Sequence, residues 1–259
     1  MELEVLMAAV DCQDPSELVC VSRGIEVPIL IVNQSSKNVT KETPFRVETY
    51  DEAGVSRSRN RALQLAQGKI CLFADDDVEY PQGAFQSILD AFTRNPKADV
   101  ILFQIVTADG RAFKKYPKRS KWIGLVGALS ASSPNLAFRL DSIKKKGLWF
   151  DERFGLKSDF PTGEQVIFVS DCLKHGLKVW FEACPVVIHP LENSGKNLSK
   201  ALLRARGAMH TRVFGDLGHI AFDLLFLIKK SGVLARSVGL LNAWRFMQEG
   251  AKEIKSYND

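Results

Sequence analysis

Three consecutive aspartates, Asp75, Asp76 and Asp77, follow directly on the apolar run "ICLFA" in the stretch "KICLFADDDVEY". Adjacent carboxylates repel one another, so a strand end that collects three of them calls for a positive partner or for full solvation. On an extended chain side chains alternate, which sends Asp75 and Asp77 to one side and Asp76 to the other. Two carboxylates on one side can share an ion. Oxygen ligands suit Mg²⁺ or Mn²⁺, and such an ion typically also holds phosphate oxygens of a nucleotide. The alternative reading of these residues is a solvated acidic turn leading into "YPQG".

The surrounding chain supplies elements able to position such a site. The runs "LEVLMAAV", "VPILIVN", "KICLFAD" and "DVILFQIV" read as strands. Between the second and third, the spacing predicts a helix from Ser56 to Gln67, with Ser56 as N-cap, a stripe of Ala62, Leu63 and Ala66, and Gly68 as terminator. Further helices are expected over Phe85–Thr93 and Gly163–His175, and "KVWFEA" and "PVVIHP" read as two more strands. The segment from Thr107 to Arg119 and "VGALSASSPNLAF" read as loops, the latter small and polar enough to lie close to a ligand. Strands alternating with helices predict an α/β fold with a Rossmann-like, mostly parallel sheet flanked by helices, and ligands then sit beyond the carboxyl ends of the strands. The aspartates occupy such an end.

The stretch "GVSRSRNRALQLAQGKICLFADDDV" resembles the core of the inverting family 2 glycosyltransferases of GT-A fold, in which a G-x-S-x-A/S-R-N helix leads into a strand ending in a D-x-D motif. "FDERFG", "TGEQVIFVSDCLKHGLKV" and "VVIHP" are similar to that family's acceptor-side segment, its acidic base motif at a helix start and its late histidine, in the same order. The resemblance covers roughly residues 1 to 195. It implies a GT-A catalytic domain over 1–197, with a basic helical extension over 198–259. It implies further that Asp75 and Asp77 hold Mn²⁺ or Mg²⁺ and the donor diphosphate, that Asp76 lies near the ribose, and that His189 completes the metal or diphosphate site. A histidine before proline is also a common structural residue. Arg57 and Arg59 would face the diphosphate or be solvated, Lys196 would reach the diphosphate from a closing loop or lie in a linker, and Asp11 and Asn33 stand where relatives surround the base. Relatives often carry aspartate in the turn that here reads "VNQSSK"; Asn33 and Gln34 can still hydrogen-bond a uracil, and a UDP-sugar is the first expectation for the donor.

Inverting transfer requires a carboxylate that deprotonates the acceptor hydroxyl as it attacks the anomeric carbon. Family members usually carry Glu-Asp or Glu-Glu where this chain has Glu164-Gln165, and the second acid is generally the base. Gln165 cannot accept a proton in that role, although Thr162 and Gln165 match a capping box. Glu164 acts instead, or Asp159 substitutes, or the chain binds donor without efficient transfer. Trp149 offers a flat face to a sugar, Phe150 reads as core, and Asp151 and Glu152 read as surface charge.

Composition is that of a globular protein, with 46% hydrophobic and 25% charged residues. The net charge of +5 is concentrated: Ser199 to Asp259 holds ten Lys or Arg against five Asp or Glu, and the rest of the chain is balanced. That basic tail would attract an acidic partner, anionic lipid or nucleic acid, and no nucleic-acid module is recognisable, so the expectation is a cytoplasmic protein held peripherally at the inner leaflet. The apolar stretch "LGHIAFDLLFLIKK" is too short for an ordinary spanning helix and reads first as packing against the main domain and second as an interfacial membrane contact. Five scattered cysteines without zinc spacing read as reduced thiols, and "MELEVLMAAV" reads as a first strand rather than a signal peptide. The expected function is metal-dependent inverting transfer of a sugar to a hydroxyl of a glycan or lipid-linked acceptor in surface polysaccharide synthesis. The competing expectations are a donor-binding scaffold with a degenerate base and, less favoured for want of a glycine-rich phosphate loop, a nucleotidyltransferase.

Overall fold

Alternate residues of the first strands enter two different cores. Leu3, Val5, Met7 and Ala9 pack into one and Leu6 into the other; Ile29 and Ile31 separate likewise from Leu30 and Val32, and Ile70, Leu72 and Ala74 from Cys71 and Phe73. Strands buried on both faces read as unbroken apolar runs, and they require helices on both sides. A computed structural model describes residues 2–22, 25–37, 39, 43–189 and 198–257. Among these, the strands are β1 (Leu3–Val10), β2 (Ile29–Gln34), β3 (Arg46–Tyr50), β4 (Ile70–Ala74), β5 (Val100–Val106), β6 (Lys121–Ile123), β7 (Leu136–Arg139) and β8 (Val179–Ile188). The helices are α1 (Val19–Ser22), α2 (Val55–Leu65), α3 (Ala84–Arg94), α4 (Leu140–Lys145), α5 (Glu164–Lys174), α6 (Lys200–Ala235) and α7 (Leu240–Ser256).

The chain divides into two compact units, one of Met1–Ala53, Arg57–Phe150 and Phe168–Leu191, the other of Gly54–Ser56, Asp151–Ile167 and Glu192–Asp259. The first unit holds the whole sheet, in the order β3-β2-β1-β4-β7-β5-β8-β6. Pairs β1/β2, β1/β4, β2/β3 and β5/β8 are parallel, whereas β7 runs antiparallel to both neighbours and β6 to β8. The expected α/β class with a mostly parallel, helix-flanked sheet is therefore present. Ala62 and Leu63 of α2, with Phe168, Val169 and Cys172 of α5, join one core; Ala84, Ile88, Ala91 and Phe92 of α3 join the other.

Several local expectations are corrected. The segment read as a ligand-side loop contains β7, whose Leu136, Ala137 and Phe138 are fully buried at the centre of the sheet. β8 is one continuous strand rather than two, with its register against β5 shifting between Leu102 and Ile105 beside Pro185. Pro cannot donate to a ladder, so it sits where the pairing is irregular. The edge strand β3 went unrecognised because Arg46–Tyr50 is polar and half-buried throughout. Ser56 lies inside α2, and its hydroxyl donates to the Phe154 carbonyl at 2.5 Å instead of capping. Gly68 serves a close approach: a Cβ there would stand 2.6 Å from that of Glu4, whose buried carboxylate accepts from the Gln67 and Gly68 amides at 2.6 and 2.8 Å.

In the second unit α6 breaks at Gly215, which has φ 74° and ψ −175°. The segments either side of the break and α7 are joined by a buried carboxylate. Asp223 accepts at 2.6 Å from His210, at 3.2 Å from His219 and at 3.0 Å from Gln248. The helices cross where a Cβ on Gly207 or Gly250 would run into the backbone carbonyl of Met247 or Arg204. No helix among the described residues is long and apolar enough to cross a membrane.

Candidate functional site

β1, β2 and β4 are parallel neighbours, so their carboxyl ends lie on one edge of the sheet and deliver Asp11, Gln34 and Asp75 there. β1 stops at Asp11, which takes φ 50° while its amide donates to the Gln34 carbonyl at 3.1 Å. Asn33 is fully buried: its carboxamide accepts from the Cys12 amide at 3.0 Å and donates to the Cys12 carbonyl at 2.9 Å. These two bonds give Asn33 the task of fixing the loop that follows β1. Val10, Asp11, Cys12, Gln13, Asp14, Glu17 and Leu18 line an open cleft of about 580 Å³ at this edge, within the size range of small-ligand sites. The Val19 amide, at the start of α1, donates to the Asp76 carbonyl at 3.2 Å and ties the cleft to the aspartates.

Backbone pairing carries His189 to the same place. Glu79 and Ile188 form an antiparallel bridge, exchanging hydrogen bonds of 2.9 and 2.8 Å, and the His189 amide donates to the Val106 carbonyl at 2.9 Å. Nε2 of His189 consequently stands 3.9 Å from Asp77, and the Phe113 ring packs on the imidazole with centroids 4.9 Å apart. Ligand atoms of Asp75, Asp77 and His189 all lie within 4.8 Å of one another. Ligands about 2.1 Å from an octahedral ion are about 3 Å apart when adjacent and about 4.2 Å when opposite, so this set closes on a cation with displacements of about half an ångström. Two carboxylates and one imidazole fit a divalent cation.

Electrostatics at the cluster point the same way. Asp76 is raised above the ordinary carboxylate range, first by desolvation and then by the charges of Asp77 and Asp75. One cation is already built in: Arg59, nearly buried in α2, reaches Asp75 at 3.3 Å while stacking over Phe150 and Phe73 at 5.6 and 6.0 Å. Arg57 lies two positions earlier, about 200° around the helix, and is exposed. Of the two arginines, Arg59 thus stands at the aspartates while Arg57 is exposed. Lys196 lies outside the described residues.

The second unit holds the candidate bases. The first hydrogen bond of α5 runs from the Ile167 amide to the Gly163 carbonyl, which makes Gly163 the N-cap and places the expected Thr162–Gln165 capping box out of frame by one residue. Glu164 is then the first helical residue and is buried, 6% exposed, with Gln165 half-buried beside it. Asp159 accepts from the Tyr257 hydroxyl at 2.7 Å, and its carbonyl accepts from Arg204 at 2.6 Å, so it anchors C-terminal helices. Asp151, expected as surface charge, is half-buried between Arg153, at 2.7 and 2.8 Å, and Arg212, at 3.3 Å. Burial alone would raise Asp151, and its bonds to Arg153 bring it below the usual range. In the first unit Trp149 is exposed, while Phe150 stacks on Phe168 at 4.3 Å as core.

The contribution of Phe113 and of the Glu79–Ile188 bridge was hidden from the sequence, because backbone pairing between distant segments leaves no residue-type signature. Comparison with known proteins places the arrangement. The profile of the family described as glycosyl transferase family 2 matches residues 27–158, just over half the chain. The "Minor teichoic acid biosynthesis protein GgaB" of Bacillus subtilis (strain 168) is 26% identical over 110 residues, which are 42% of this chain and 11% of that protein. The chain therefore spans a small part of this curated relative. Among solved structures, S. aureus TarS 1–349 in complex with UDP-GlcNAc superposes with a TM-score of 0.66 at 16% identity, over 99% of this chain and 83% of that one. The same protein in complex with UDP gives 0.61 at 15% identity, over 86% and 69%. At such identities the likeness establishes the fold. The motif order, the GT-A fold and the profile match over residues 27–158 agree, and the chain belongs to glycosyl transferase family 2.

Proposed function

We propose that this protein transfers a sugar, with inversion, from a nucleoside diphosphate donor to a hydroxyl of a glycan or lipid-linked acceptor in surface polysaccharide synthesis, working at an anionic membrane surface. The observation that carries this reading is the convergence of Asp75, Asp77 and His189 at the carboxyl edge of the sheet, beside the cleft lined by residues 10–14. Asp75 and Asp77 would hold Mn²⁺ or Mg²⁺ with His189 as third ligand, and that ion supplies charge stabilisation for the departing diphosphate. Asp11 and Asp76 line the donor side, and Asn33 keeps the loop that follows β1 in place. Arg59 orients Asp75 through its 3.3 Å contact. A uridine donor is favoured by the UDP and UDP-GlcNAc complexes of TarS, and a cell-wall acceptor by the name of the B. subtilis relative.

Glu164 is the proposed base. Glu164 is the first residue of α5, at the position of the family's acidic motif, and Asp159 accepts from Tyr257 in anchoring the C-terminal helices. Gln165 supports a second reading, a donor-binding protein without transfer. Incubation with a panel of UDP-sugars, Mn²⁺ and glycan acceptors, followed for UDP release, separates the two. Acceptor-dependent release is expected, and donor binding without release under all acceptors would favour the second reading.

A further inference from the structure

We propose that the part of α6 beyond Gly215 lies in the surface of an anionic lipid bilayer, through a face made of Leu217, Ile220, Leu224, Leu225 and Ile228. Positions 217, 220, 224 and 228 are three or four apart and share one side of the helix, with 225 adjoining. Their exposures are 86, 41, 48, 59 and 72%, five large apolar side chains turned to solvent along about 17 Å of helix. The adjoining side, about 100° around the helix, carries the buried His219, Asp223, Leu227 and Leu234. The roll of the helix is set by chemistry: Asp223 is hydrogen-bonded to His210, His219 and Gln248, so the apolar face is held outward. Contiguous exposed apolar surface of this kind marks an interaction site.

Charge identifies the occupant. Lys229, Lys230 and Arg236 adjoin the apolar stretch, and from Leu217 to Leu241 the sole acidic residue is the internal Asp223. Asp216, at the near end, is bound by Lys255 at 2.7 Å. A second copy of the same face would set Lys229, Lys230 and Arg236 against their own kind, with no exposed carboxylate in the stretch to pair with them. Anionic phospholipid headgroups supply that missing charge while the acyl region accepts the apolar side chains, the arrangement of interfacial amphipathic helices. No helix among the described residues is long and apolar enough to span. This rests on the membrane part of the proposed function and deepens it by naming the surface, and it is measured without donor, so its failure would leave the metal site and the transfer reading untouched.

The test is sedimentation of the full chain with vesicles of phosphatidylcholine plus phosphatidylglycerol, and with phosphatidylcholine alone. Binding is expected to the anionic vesicles, to weaken with salt, and to fall about tenfold or more in L224E/I228E, whose helicity and melting temperature should match the parent. Absence of binding to anionic vesicles, or binding undiminished in the double variant, overturns the proposal. So does light scattering that shows a dimer which L224E/I228E converts to a monomer.

Discussion

Nε2 of His189 stands 3.9 Å from Asp77 because the intervening chain returns as a strand whose last residue, Ile188, bridges to Glu79. The imidazole is carried to the aspartates by main-chain hydrogen bonds and steadied by Phe113. His189→Ala should therefore weaken Mn²⁺-dependent UDP binding roughly 10- to 100-fold, as removal of a metal's supporting ligands does, while leaving the melting temperature without metal nearly unchanged. Titration of UDP with and without Mn²⁺ checks this. Equal affinity in parent and variant would remove His189 from the ligand set.

Arg59 predicts a different signature. Its side chain is 5% exposed and its partner Asp75 is 33% exposed, so the pair is partly shielded from water. Arg59→Met should lower stability by roughly 2 kcal/mol, below the range for fully buried pairs because Asp75 keeps solvent contact. Mn²⁺ should recover part of the loss by supplying the missing positive charge. Chemical denaturation with and without Mn²⁺ reads both effects.

Glu164 and Asp159 are separable by rate and stability. Glu164→Gln should reduce kcat about 100-fold or more with UDP affinity unchanged, the mark of a general base. Asp159→Asn should leave the rate alone and lower the melting temperature modestly through its bond to Tyr257. Initial rates of UDP release decide between them, and a reversed pattern would transfer the base role to Asp159.

The sequence carried the site better than the sheet. "ADDD" after an apolar run, the arginines of α2 and the late histidine announce themselves by residue type, and the structure assembles three of them within 4.8 Å. It could not reveal which arginine turns inward, since Arg57 and Arg59 differ only by their angle about α2. β7 was illegible for another reason: four residues preceded by two 3-10 turns carry no period, and the strand exists because β4 and β5 leave a gap that Leu136, Ala137 and Phe138 fill. Asp151 reads as surface charge because its pairing with Arg153 looks local, whereas Arg212, sixty-one positions away, joins the pair and half-buries it.

The helical unit should be acid-sensitive. His210 is held below its ordinary value of 6.5, first by burial and also by Arg206 and His219, with the bond to Asp223 opposing. A group whose folded pKa is depressed binds fewer protons when folded than when unfolded. Stability is therefore present above pH of about 6.5 and lost as the pH falls below it. Helical signal followed through urea denaturation at several pH values should show the decline, and His210→Gln should flatten it. The same slope in parent and variant would locate the acid sensitivity elsewhere.

Whether the three aspartates belong to a metal and diphosphate site is decided by calorimetric titration with UDP, with and without Mn²⁺, on the parent and on Asp77→Ala. Mn²⁺-dependent binding is expected in the parent and is lost in the variant. UDP binding that ignores Mn²⁺, or that survives unchanged in Asp77→Ala, would contradict it.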